Sequence, residues 1–80
     1  MIKLSKHTTD EMAARGITLS YIEVALASPD RVAPDATDPA LSRSYKVISE
    51  FGSRVLRVVH RPESDDIFVV TAHWDRGAQR

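Results

Sequence analysis

The segments Arg54-Val55-Leu56-Arg57-Val58-Val59-His60 and Asp66-Ile67-Phe68-Val69-Val70-Thr71-Ala72-His73-Trp74 decide the fold. Both are rich in β-branched and aromatic residues, and the turn-forming run Arg61–Asp65 divides them, so both read as strands. The unbroken apolar run Ile67 to Val70 is the pattern of a central strand buried on both faces. Immediately upstream, Ser44 to Phe51 alternates, with Tyr45, Val47 and Phe51 on one face and Lys46 and Glu50 on the other. Gly52-Ser53 then reads as a two-residue hairpin turn of type II′, with glycine first.

Toward the N-terminus the period changes. Lys6 to Arg15 reads as a helix with Ser5 or Thr8 as its cap; Thr8-x-x-Glu11 fits a capping box, and Gly16 suits the left-handed position after the last turn. Leu19, Ile22, Ala25 and Leu26 follow the spacing of one helical face, with Thr18 or Ser20 as cap and Pro29 as the stop. Ile2-Lys3-Leu4 and Arg31-Val32-Ala33 are candidate short strands, the region from Asp30 to Leu41 is otherwise loop, and the tail 76–80 reads as loose. The order is helix, helix, then strands. It predicts an α+β domain spanning residues 1–80, with two N-terminal helices packed on a three- to four-stranded antiparallel sheet.

Composition narrows the class. Leu, Ile, Val and Phe make up 20 of 80 residues, too many for a disordered chain. Cysteine is absent, which excludes a disulfide scaffold, a zinc ribbon and thiol redox chemistry. No apolar run approaches a membrane span, and residues 1–6 lack the apolar stretch of a signal peptide, so a soluble cytoplasmic protein is expected. The formal net charge is zero. Yet Arg43, Lys46, Arg54, Arg57 and Arg61 face only Glu50 in their stretch of sequence, a local excess of four positive charges. Such a stripe on a neutral chain suits a few placed phosphate contacts; arginines that guard edge strands are the plain alternative.

Three histidines carry the remaining chemistry. His7, Glu11 and Arg15 share one helical face at i, i+4 and i+8. Arg57 stands between Val55 and Val59 on one face of a strand expected to be central, where a cation must be paired or must point into a site. Asp75 and Glu11 are its candidate partners. No Gly-rich phosphate loop and no nucleophilic serine motif exist. A His60/His73/Asp75 metal site is conceivable on paired strands, although the spacing is unspecific. Histidine as acid or base with arginine on phosphate suffices for RNA cleavage by 2′-hydroxyl attack, and that chemistry requires no metal or cofactor.

Ser5-Lys6-His7, Met12, Arg15-Gly16-Ile17-Thr18, Ile22, Leu26 and Pro29-Asp30 resemble the first half of a small bacterial family, domain of unknown function 4258. Val55-Leu56-Arg57-Val58-Val59 and Val69 to Arg76 resemble its second half. That family is similar to BrnT-type toxins in the wider RelE/ParE-like group. The resemblance implies a toxin of a toxin–antitoxin system, endoribonuclease-like activity on RNA and an antitoxin protein as partner, with His7, Arg15, Arg57 and Asp75 falling on the family's motif positions. Two departures stand out: Glu11 where the family often has arginine, and His73-Trp74 where it often has Tyr-Phe. The residue reading assigns His7, His73, Arg57 and Arg15 to catalysis and Arg43, Lys46, Arg54 and Arg61 to substrate binding. A non-catalytic interaction module of the same fold, binding a small protein or a second copy of itself, is the other reading.

Overall fold

The structure is a computed structural model that describes residues 1–77. Its elements are β1 (Ile2–Leu4), α1 (Lys6–Arg15), α2 (Leu19–Ala27), β2 (Arg31–Pro34), β3 (Ser42–Ile48), a 3₁₀ turn at Ser49–Phe51, β4 (Arg54–Glu63) and β5 (Asp66–Trp74). The class is α+β with both helices N-terminal. The sheet corrects the expected one: it has five strands in the order β1-β5-β4-β3-β2, and it is mixed. β1 pairs parallel to β5, Ile2 opposite Ile67 and Leu4 opposite Val69. A parallel pair needs a long crossover. Here nearly the whole chain is that crossover, so no local pattern announces the pairing. No helix is long and apolar enough to cross a membrane among the described residues.

Both helices are capped by their first candidates. The Ser5 hydroxyl accepts the Thr8 N–H at 3.0 Å, and Thr18 accepts the Tyr21 N–H at 3.2 Å. Thr8 does different work. It is fully buried, and its hydroxyl donates to the Val69 carbonyl at 3.1 Å. The Ser5 hydroxyl donates to the Val70 carbonyl at 2.7 Å. These two carbonyls sit at a bulge, where the β4–β5 register moves from Val59↔Thr71 to His60↔Val69 and leaves Val70 as the extra residue. α1 therefore continues alongside β5 where β1 stops. At its far end the Trp74 indole N–H donates to the Arg15 carbonyl at 2.8 Å. Gly16 ends the helix at φ 68°, and a side chain there would also crowd Phe51.

α2 covers one face of the sheet. Ile22 and Ala25 pack with Ile48, Leu56, Val58, Val69 and Ala72, all buried. Fully burying Ile22 or Leu56 contributes about 1.5–3 kcal/mol each. β5 lies between β1 and β4 as the apolar run predicts, but only Val69 and Ala72 are buried, so it is not dry on both faces. Three local expectations also change. β3 ends at Ile48, so Phe51 leaves the strand and joins the 3₁₀ turn. It is Ile48, on the Lys46 face, that enters the core, while Tyr45 is buried on the opposite face. Gly52 and Ser53 both take positive φ (66° and 55°), as type I′ rather than type II′ requires, within a five-residue connection. β4 runs on through Pro62 to Glu63, leaving Ser64-Asp65 as the turn. Beyond His60 it has no β3 neighbour, and a strand edge tolerates proline.

Candidate functional site

Arg57 pairs across the sheet with Tyr45 on one side and His73 on the other. All three alternate with core residues (Leu56 and Val58, Ser44, Ala72) and so project on the face that α2 leaves uncovered. The Arg57 Nη1 lies 3.4 Å from Asp75 Oδ2, and its Nε is buried with no hydrogen-bond acceptor among the described residues. Asp75, not Glu11, is thus the partner of Arg57. Glu11 instead takes Arg15 Nε at 3.2 Å and approaches His7 Nε2 at 4.0 Å, closing the predicted i, i+4, i+8 face on itself.

His73 ends this row beside α1. Its ring stands 6.5 Å, centroid to centroid, from that of His7, and its Nε2 is 3.2 Å from the Thr71 hydroxyl, which orients it. Partial burial and then the Arg57 charge push its pKa below the usual histidine value. At neutral pH His73 is the neutral imidazole, the form that accepts a proton.

Trp74 builds the adjoining wall. It stacks on Phe51 at 4.3 Å and 5° between planes, and the Arg54 guanidinium sits 5.4 Å from its ring. The result is one open cleft of about 590 Å³ at the end of β5, lined by Arg15, Arg54, Arg57, His73, Trp74 and Arg76. Four arginines line it, against the nearby carboxylates of Glu11 and Asp75. Such a cleft selects anions, and the forked donors of arginine match phosphate oxygens.

The structure brings Arg15, Arg57, His73 and Arg54 together in the cleft; His7 is not among its lining residues and stands 6.5 Å from His73, ring to ring. It does not bring in the other expected substrate contacts. Arg43 is held by Asp35 at 2.8 Å, Lys46 faces Asp30 at 3.5 Å, and Arg61 lies over the Phe68 ring within 4.0 Å of Glu63. The Arg43 and Thr37 hydrogen bonds hold Asp35 far below the usual carboxylate range, so that pair persists. The conceived metal site does not assemble. His60 points to the core face, where its Nε2 meets the Ser44 hydroxyl at 2.7 Å, whereas His73 points to the other. No three metal-ligating side chains cluster among the described residues. Arg76, read as part of a loose tail, belongs to the cleft, and the Gly77 N–H donates to Asp75 at 2.9 Å in the turn that carries it. Hydropathy patterning stops at Trp74 and offered no signal for it. Residues 78–80 of the expected tail lie outside the described residues.

The class of protein is thus an α+β domain with an arginine-lined cleft. Its family model matches residues 4–74, and the chain belongs to the domain of unknown function family DUF4258. No curated protein and no solved structure matches it.

Proposed function

We propose that this protein is the toxin of a bacterial toxin–antitoxin pair and cleaves RNA without a metal. The carrying observation is that Arg15, Arg54, Arg57 and Arg76 line a single cleft together with a histidine of lowered pKa, His73. The 2′-hydroxyl of the nucleotide attacks the adjacent phosphorus, and His73 takes its proton. The arginines stabilise the extra negative charge on the five-coordinate phosphorus. The 5′-oxygen leaves with a proton delivered by His7, giving a 2′,3′-cyclic phosphate and a 5′-hydroxyl end. The resemblance to BrnT-type and RelE/ParE-like toxins supports the same reading and supplies the expectation of an antitoxin partner.

Induced expression in a bacterium tests this directly. Growth arrest with RNA fragments ending in cyclic phosphate is expected, and His73→Ala should abolish both. Intact RNA at full induction would sink the reading. Because His73 acts neutral, cleavage should rise with pH along an acid limb whose midpoint lies below about 6.5. A second reading, a protein-binding module, is favoured by exposed Val32 on the free β2 edge and by exposed Leu19 and Val24 on α2. Co-purification of a small acidic protein without nuclease activity would select it.

A further inference from the structure

One register row crosses the uncovered face from edge strand to helix. Arg31 of β2 pairs Tyr45 of β3, Tyr45 pairs Arg57 of β4, and Arg57 pairs His73 of β5. Directly paired residues project on the same side, so the four side chains form a line, and His7 extends it past the sheet. At about 4.8 Å per strand, Arg31 stands roughly 14 Å from His73. The row holds two arginines and a histidine and no carboxylate.

Arg31 differs from its neighbours. Arg43, Lys46 and Arg61 each face a carboxylate, while Arg31 has no ion pair among the described residues. Its guanidinium lies 4.0 Å above the centre of the Tyr45 ring. Tyr45 is buried and Arg31 is exposed. The cationic group thus sits over the ring of a buried tyrosine, on a residue that is itself exposed. Charge on an edge strand deters aggregation, but any lysine would serve for that. Neither the placement of the guanidinium over the Tyr45 ring nor its alignment with the cleft follows from edge protection.

We infer that single-stranded RNA held at the cleft continues across this face, and that the Arg31–Tyr45 stack is a second nucleotide subsite, receiving a base on the outer face of the guanidinium. Unpaired bases stack on arginine planes, and such contacts tolerate any base. The inference rests on the RNA reading of the cleft and gives it a direction: away from α1, toward the β2 edge.

The test is the affinity of a labelled single-stranded oligomer of about 10 nucleotides, 2′-O-methylated so that attack by the 2′-oxygen is blocked, over a salt series. Arg31→Ala should weaken binding about 5-fold or more and lower the slope of log K against log salt by about 0.7. Arg31→Lys should restore the slope but not the affinity, because lysine keeps the charge and loses the plane. Lys6→Ala, a cation removed from the outer side of α1, controls for charge alone and should change neither. If Arg31→Ala matches Lys6→Ala while Arg57→Met weakens binding, the second subsite is wrong and the cleft stands. If the unsubstituted protein does not bind the oligomer, or Arg57→Met binds as well as it does, the cleft reading fails and the subsite fails with it. Loss of a co-purifying protein, rather than of RNA, on Arg31→Ala would also overturn the inference.

Discussion

Replacing Arg57 with methionine separates a functional cation from a structural one. The side chain occupies the middle strand of the sheet with its Nε buried and unaccepted. An unsatisfied buried donor costs about 1–3 kcal/mol. Against this stands one ion pair, Arg57 Nη1 to Asp75 at 3.4 Å, with both side chains partly exposed. Solvent screening holds such a pair to about 1 kcal/mol or less. Asp75 also accepts the Gly77 N–H, so it is not orphaned by the change. Methionine keeps the apolar stem and fills the volume flexibly. The terms nearly cancel, so stability should change by no more than about 1 kcal/mol in either direction. In urea, with a slope of about 1 kcal/mol/M for so small a domain, the midpoint should move by about 1 M at most. The single tryptophan, Trp74, reports the transition by fluorescence. Anion binding should suffer far more. A charge-assisted hydrogen bond contributes about 1.5–3 kcal/mol, so RNA affinity should fall by about 10-fold or more. Burial is the larger cause of the low His73 pKa and Arg57 the second, so an NMR titration of His73 in the variant should show its pKa rising toward the ordinary value. A variant destabilised by more than about 2 kcal/mol, with RNA affinity unchanged, would refute the reasoning: Arg57 would then be a structural cation.

Three further outcomes follow from the same geometry. Glu11→Gln releases Arg15 and removes the carboxylate beside His7, so the affinity for an RNA oligomer should rise, and most clearly at low salt; an unchanged or weaker affinity on filter binding would argue against an anion site. Thr8→Val removes the hydroxyl that donates to Val69 and should cost about 1 kcal/mol, a fall in Tm of roughly 4–8 °C; an unaltered Tm in a thermal melt would mean α1 is not fixed there. Burial lowers the pKa of His60, as it does that of His73, so the folded state disfavours the imidazolium. That stabilisation is complete above the unfolded value of about 6.5 and is lost as pH falls through the lower folded values. Urea midpoints should therefore drop below about pH 6.5, and His60→Asn should flatten the drop.

How much was legible in the residues differs from element to element. Both helices carry their stops and caps locally: Ser5, Gly16, Thr18 and Pro29 act on backbone groups within a few residues, and α1 spans Lys6–Arg15 as periodicity predicts. β4 and β5 were evident from composition, and Arg57 was conspicuous because a cation between valines is costly without a purpose. The connection after β3 departs from its local pattern: Gly52-Ser53 matches a two-residue turn, but Phe51 is drawn out of the strand to stack on Trp74. That contact spans 23 residues of sequence and leaves no local trace.

Sequence alone determined the α+β class, the helix limits and the candidates His7, Arg15, Arg57 and His73, because propensity, capping and the cost of a strand cation are short-range effects. Tertiary structure alone decided which cations share a cleft. Arg43, Lys46 and Arg61 looked equivalent to Arg54 and Arg57 along the chain, yet the first three meet an aspartate or a glutamate away from the cleft, whereas Arg54 and Arg57 line it, Arg57 with Asp75 as its partner. The parallel seating of β1 against β5, the bulge at Val70 and the alignment of Arg31 with His73 depend on register between distant strands. Register is set by pairing energy summed over the whole sheet, and no short stretch of sequence contains that sum.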